Sequence, residues 1–160
     1  MFAKKPKVKL PLTVFLDVDG VLNKQSDWST AFTLNEECVS AFSKLWKELS
    51  KYYIPKLVLI STWRSGKGRE QNTESYDYLV KTLKGIGIKI SDTTPLTNKG
   101  RQNEVEYYIR RNSVGNYIIL DDDESLYDQP EKLCIFYPEY RTGLVESDVK
   151  KIVSIIMKRK

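Results

Sequence analysis

The run Phe15-Leu16-Asp17-Val18-Asp19-Gly20-Val21-Leu22-Asn23 carries an apolar stretch up to two carboxylates one residue apart. In an extended strand alternate side chains share a face, so this spacing lets Asp17 and Asp19 converge just beyond the strand's carboxyl end. Open α/β sheets place their chemistry there. Gly20 then allows a sharp turn without a Cβ penalty. Taken alone, the tetrapeptide Asp17-Val18-Asp19-Gly20 reads first as an Asp/Gly turn after a strand. In a catalytic setting, Asp17 is a candidate nucleophile and Asp19 its proton-transfer partner.

Three later segments supply that setting. Leu57-Val58-Leu59-Ile60 is a second buried-strand pattern, and it ends in Ser61-Thr62-Trp63-Arg64. Lys99-Gly100-Arg101 opens an amphipathic helix, and Tyr117-Ile118-Ile119-Leu120 runs into Asp121-Asp122-Asp123. The order is carboxylate pair, hydroxyl, cation, carboxylate cluster, with three of the four at the ends of apolar strands. This order resembles that of the haloacid dehalogenase-like (HAD) phosphohydrolase superfamily. FLDVDGVLN, SxWR, RxxEV and ILDDD resemble the compact HAD domains associated with RNA-repair and polynucleotide-processing proteins. The resemblance runs from about residue 12 to about residue 155. It departs from the family's RGxEI pattern at Gln102, which stands in place of a glycine.

Composition narrows the alternatives. A chain of 160 residues with 41% hydrophobic content fits one domain with a substantial core. We read residues 1–10 as a basic N-terminal tail and residues 11–160 as a single catalytic domain. No apolar run has transmembrane length and none reads as a signal peptide, so a soluble cytoplasmic protein is expected. Cys38 sits in a helical pattern and Cys134 in a strand pattern, which favours buried thiols over a disulfide or a zinc site. The chain contains no histidine, so His-dependent triads and typical catalytic zinc sites are excluded. The net charge is +5, with Lys4, Lys5, Lys7 and Lys9 ahead of the first strand and Lys158, Arg159 and Lys160 at the other end. These termini either attract polyanions such as nucleic acid or are solvated tails.

The periodicity predicts strands over about 12–17, 56–61, 86–90, 118–120 and 133–136. Thr33-Leu34-Asn35-Glu36 has capping-box spacing, ahead of a helix that buries Cys38, Phe42, Leu45 and Leu49. Tyr76, Leu79, Val80 and Leu83 mark a second helix, and Val105, Tyr108 and Ile109 a third. The last repeats Val149, Ile152, Val153 and Ile156 on one face. Alternating strands and helices imply a three-layer α/β domain with a mainly parallel sheet. The resemblance adds a Rossmann-like HAD fold of five strands in the order 5-4-1-2-3. The connections after the first two strands are too short for a large cap domain, so an open site is expected.

The resemblance implies the following chemistry. Asp17 attacks phosphorus and forms an aspartyl-phosphate. Asp19 protonates the leaving oxygen and then activates water, while its backbone carbonyl joins Asp17, Asp121 and Asp122 in holding Mg2+, a hard cation suited to oxygen ligands. Ser61 or Thr62 is the hydroxyl that bonds the phosphoryl group; a one-residue change in where the strand ends exchanges their faces. Arg64 either clamps a distal phosphate or makes a surface salt bridge. Arg101 or Lys99 is the cation at the helix start, and Asp123 is better read as a helix N-cap. Trp28 and Phe32, with Tyr137, Tyr140 and Arg141 farther on, either close the core or stack on a base. The implied activity is Mg2+-dependent phosphomonoester hydrolysis. The substrate is a nucleotide, a polynucleotide 3′-end or a small metabolite, and the rival is a catalytically silent nucleic-acid-binding accessory protein. A receiver domain would put its paired acids and its phosphorylated Asp in an order this chain does not offer.

Overall fold

The computed structural model describes residues 8–30, 33–63 and 74–159. Its strands are β1 (Leu10–Leu16), β2 (Tyr53–Leu59), β3 (Ile90–Thr93), β4 (Tyr117–Leu120) and β5 (Ile135–Phe136). Its α-helices are α1 (Glu36–Tyr52), α2 (Glu74–Gly85), α3 (Arg101–Arg111) and α4 (Glu146–Lys158). The strands form one sheet, all pairs parallel, in the order β3-β2-β1-β4-β5. Read from the other edge, this is the expected 5-4-1-2-3.

The sheet is covered on both faces, which is why its central strands read as unbroken apolar runs. Leu12, Val14 and Leu16 of β1 join Leu57, Leu59, Ile118 and Leu120 on one face, against Phe42, Leu45 and Leu49 of α1 and Val149, Ile152 and Ile156 of α4. Phe15, Val58, Ile60 and Ile119 point the other way and meet Val105 and Tyr108 of α3. Phe15 sets its ring edge-on to Tyr108 with centroids 5.6 Å apart. Each Leu or Phe buried this way contributes roughly 1.5–3 kcal/mol. Cys38 and Cys134 are free and buried, as expected.

Several boundaries differ from the sequence reading. α1 starts after Asn35, whose side chain accepts hydrogen bonds from the Glu37 and Cys38 amides. Thr33 is instead engaged in the preceding loop: its hydroxyl donates to the Thr30 carbonyl and its own carbonyl accepts from Asn23. β2 begins three residues early, because the chain passes from α1 straight into the sheet at Tyr53. The third strand lies at Ile90–Thr93 rather than 86–90. Gly87, at φ 77°, closes a turn in which the Ile86, Gly87 and Ile88 amides donate to the last carbonyls of α2. On α2, Leu79 and Leu83 are buried but Val80 is 37% exposed. β5 is reduced to Ile135–Phe136, since a 3-10 turn at Pro130–Lys132 precedes it.

Register sets the site. Leu16 pairs with Leu59 on one side and Leu120 on the other, so β1, β2 and β4 end level. The next residues keep that alignment: the Ile60 amide donates to the Leu16 carbonyl and the Asp17 amide to the Leu120 carbonyl, both at 2.9 Å. Among the described residues, the β1–α1 connection holds only a 3-10 turn at Gln25–Ser29, and 14 residues separate β2 from α2. Among the described residues there is no large cap domain. No helix among the described residues is long and apolar enough to cross a membrane.

Candidate active site

Because β1 and β4 are neighbours that end level, the first residue beyond each puts a carboxylate beside the other. Asp17, Asp121 and Asp122 each offer an oxygen within 4.8 Å of the other two. Asp17 is 6% exposed and Asp121 fully buried. Arg101, the first residue of α3, reaches both: its Nη1 lies 3.3 Å from Asp17 Oδ1 and 2.8 Å from Asp121 Oδ2. The Tyr127 hydroxyl donates to the same Asp121 oxygen at 2.7 Å, and the Asp123 amide donates to Asp121 Oδ1. Asp121 is therefore fixed on both oxygens. Gly20 is needed at the turn, where φ is 82° and any Cβ would collide with the Asp122 side chain.

The charges do not balance. Burial and then the neighbouring Asp121 push the Asp17 carboxyl well above the usual carboxylate range, against the pull of Arg101. Burial and Asp121 raise Asp122 to about 6. Burial opposes the charge on Arg101, yet Asp17 and Asp121 outweigh it and hold the guanidinium above its ordinary value. Three carboxylates facing one guanidinium need a proton or a further cation, and an all-oxygen donor set suits a hard divalent ion.

A pH dependence follows. An acid whose folded pKa is raised binds more protons folded than unfolded, so stability is lost as pH rises through the folded value. Protein stripped of divalent cations is expected to lose stability between about pH 4 and pH 6 through Asp122, and further as pH rises through the raised value of Asp17. Melting temperatures in chelator from pH 4 to pH 8, for wild type and Asp122→Asn, check this. The decline should be steeper in wild type and flattened by Mg2+; equal slopes would contradict it.

Asp19 stands outside the three-carboxylate cluster. Its Oδ1 accepts from Asn23 Nδ2 at 2.9 Å and its Oδ2 from the Trp63 indole at 3.2 Å. Both oxygens of this carboxylate are therefore held by side-chain N–H donors. Asn23 is buried, and its Oδ1 also accepts from the Gly20 amide and the Trp28 indole. Ser61 is buried just past β2, and its Oγ accepts from the Trp63 amide at 3.1 Å. Thr62 is exposed.

Over residues 13–149 the chain matches the family described as the HAD domain in Swiss Army Knife RNA repair proteins. The chain belongs to this family of HAD domains. No curated protein matches it.

Within this HAD domain, Arg101 is the cation at the carboxylates, while Lys99 is exposed and only its amide is engaged, with the Thr97 hydroxyl. Gln102 has a local reason to stand where the family pattern has glycine. Its side chain donates to Glu106 and to the Gln129 carbonyl and accepts from the Gln129 amide, tying α3 to the loop after β4. Glu104 accepts from the Thr97 amide and braces the approach to α3. Asp123 caps the turn at Glu124–Leu126 by accepting from the Ser125 amide, as expected of it. Arg64, Phe32, Lys4, Lys5, Lys7 and Lys160 lie outside the described residues. Sequence reasoning gave no role to Asn23 or Tyr127. The signal for Asn23 is a lone amide closing the Val21-Leu22 run; Tyr127, six residues past Asp121, gives none.

Proposed function

We propose that this domain is a Mg2+-dependent phosphomonoester hydrolase working through an aspartyl-phosphate on Asp17, with a nucleotide or polynucleotide 3′-end as its substrate. The observation that carries the reading is Asp17 itself, buried at a strand end where Arg101 reaches both it and Asp121, with Asp19, two residues on, held on both carboxylate oxygens. An Asp17 oxygen attacks phosphorus, the ester P–O bond breaks, and Asp19 gives its proton to the leaving oxygen. Asp19 then takes a proton from water as that water's oxygen attacks the same phosphorus; inorganic phosphate leaves and Asp17 is regenerated. Ser61 and Arg101 offset negative charge on the phosphoryl oxygens. Asp17, Asp121 and Asp122, with the Asp19 carbonyl, would hold Mg2+, which when bound supplies positive charge against those oxygens.

The lack of a cap domain supports a large substrate. The basic N-terminal tail offers less direct support: Lys9 donates to the Ser50 carbonyl just ahead of β1, whose seven residues separate it from Asp17 by roughly 26 Å.

A screen of phosphomonoesters with and without Mg2+ tests the reading. It should include 3′-phosphorylated oligonucleotides, nucleoside monophosphates and a small aryl phosphate. Mg2+-dependent phosphate release is expected, with the oligonucleotide competing against the aryl ester at low salt. Undiminished turnover in excess chelator would reject the metal assignment, and binding of polyanions without any turnover would favour a silent accessory protein. Asp122→Asn is expected to raise the Mg2+ needed for half-maximal activity about tenfold or more, since ligand losses at such sites have effects of that order.

A further inference from the structure

Two indoles flank Asp19, and they are built differently. Trp63 is buried at 3% exposure and braces Asp19 Oδ2 directly. Trp28 is 43% exposed, yet its Nε1–H donates at 2.9 Å to Asn23 Oδ1, and the same carboxamide donates to Asp19 Oδ1. Two hydrogen bonds and the width of one amide thus hold the Trp28 ring within roughly 8 Å of that oxygen. This is comparable with the reach from a ribose 3′-oxygen to the base of the same nucleotide.

The ring is also held from a second direction. Trp28 stacks on Tyr140, with centroids 6.3 Å apart and planes 26° apart. The loop carrying Tyr140 is fastened to the β1–α1 connection: the Gln25 amide donates to the Tyr140 carbonyl and the Leu144 amide to the Val21 carbonyl, both at 2.9 Å. The exposed Arg141 places its guanidinium 5.2 Å from the Tyr140 ring centroid. An indole that only closed the core would be covered, as Trp63 is. Trp28 has its N–H satisfied and one side packed, and it leaves much of its apolar surface to solvent. A flat, polarisable, sequence-tolerant partner suits such a surface, with a cation nearby for a backbone phosphate.

We propose that Trp28, stacked on Tyr140 and linked through Asn23 to Asp19, is the seat for the base of the nucleotide whose phosphate is cleaved. This rests on the proposed function in one respect: Asp19 serves the leaving oxygen, so what surrounds Asp19 meets the leaving group. The consequence is a preference for nucleosides over base-free alcohols as leaving groups.

The test uses an oligonucleotide ending in a non-hydrolysable 3′-phosphonate and a counterpart whose last nucleotide is abasic, each titrated with Mg2+ present against wild type, Trp28→Ala and Trp28→Phe. Wild type is expected to bind the base-bearing probe about tenfold more tightly, Trp28→Ala to bind both alike, and Trp28→Phe to keep most of the preference. No wild-type preference, or a Trp28→Ala loss shared equally by both probes, would overturn the proposal; the latter would mean that Trp28 only positions Asn23 and Asp19. Release of phosphate from the matching esters is measured in parallel. A base preference without hydrolysis would sink the phosphatase reading and leave the base seat standing, whereas hydrolysis without base preference would do the reverse.

Discussion

Asp17→Asn is expected to leave the domain folded and to lower phosphomonoester turnover by on the order of 10^4-fold or more. The amide keeps the shape of the carboxylate but is a poor nucleophile, so no covalent intermediate can form at this position. The structural effect has the opposite sign from most substitutions of buried polar groups. Burial first, and then the neighbouring Asp121 and Asp122, hold the Asp17 carboxyl well above the ordinary range. Removing the charge relieves repulsion, so in chelator the variant should melt at or above the wild-type temperature, while its stabilisation by Mg2+ shrinks. Turnover of an aryl phosphate and paired melts with and without Mg2+ check both halves. Wild-type-like turnover would remove Asp17 as nucleophile. Asp19→Asn differs in kind: with a good leaving group the first step survives, and phosphoenzyme accumulates because water is no longer activated.

The parts of this domain that were legible in the sequence are those fixed by burial on both sides. β1, β2 and β4 lie at the centre of a parallel sheet and their carboxyl-terminal residues are buried on both faces, so the apolar runs there, and the polar residues that end them, stand out. β3 failed for the converse reason. It is an edge strand of four residues, none of them buried, Ile90–Thr93, and the apolar run ahead of it contains the turn that Gly87 closes. Ser61 and Thr62 differ by a single residue of strand length, which periodicity does not resolve; past the level ends of β1 and β2, Ser61 is buried and Thr62 exposed. Asn23 and Tyr127 owe their roles to hydrogen bonds made within irregular loops, to Trp28 and Asp121, and residue type alone carries no trace of those partners. The same limit applies to Arg101 and Lys99. Both stand at the start of α3, and only the direction in which the helix enters the site separates them.

That separation gives the second large effect. Arg101→Ala should destabilise the metal-free protein by about 3–5 kcal/mol, because it leaves the charges of Asp17 and Asp121 buried without their guanidinium. The Arg101 side chain is only 11% exposed, so solvent does little to screen the loss. Against a total stability of roughly 5–15 kcal/mol this is a large fraction, and for a chain of this length the melting temperature should fall by about 10 °C. The deficit should grow with pH, since at low pH the raised carboxyls of Asp17 and Asp122 take up protons and no longer need the countercharge. Mg2+ should recover part of the stability and little of the turnover, because the charge that Arg101 presents to the phosphoryl group is lost. Arg101→Lys, which keeps one positive charge but not the planar fork, should fold better than the alanine variant and still turn over slowly. Lys99→Ala, a change at an exposed side chain, should stay within about 0.5 kcal/mol of wild type and retain its activity. Melts in chelator across pH 5–8, with turnover assayed on the same samples, distinguish the two cations. A Lys99→Ala variant that lost turnover while Arg101→Ala kept it would reverse the assignment, and would require α3 to approach the phosphate by a different edge from the one that packs on Asp17.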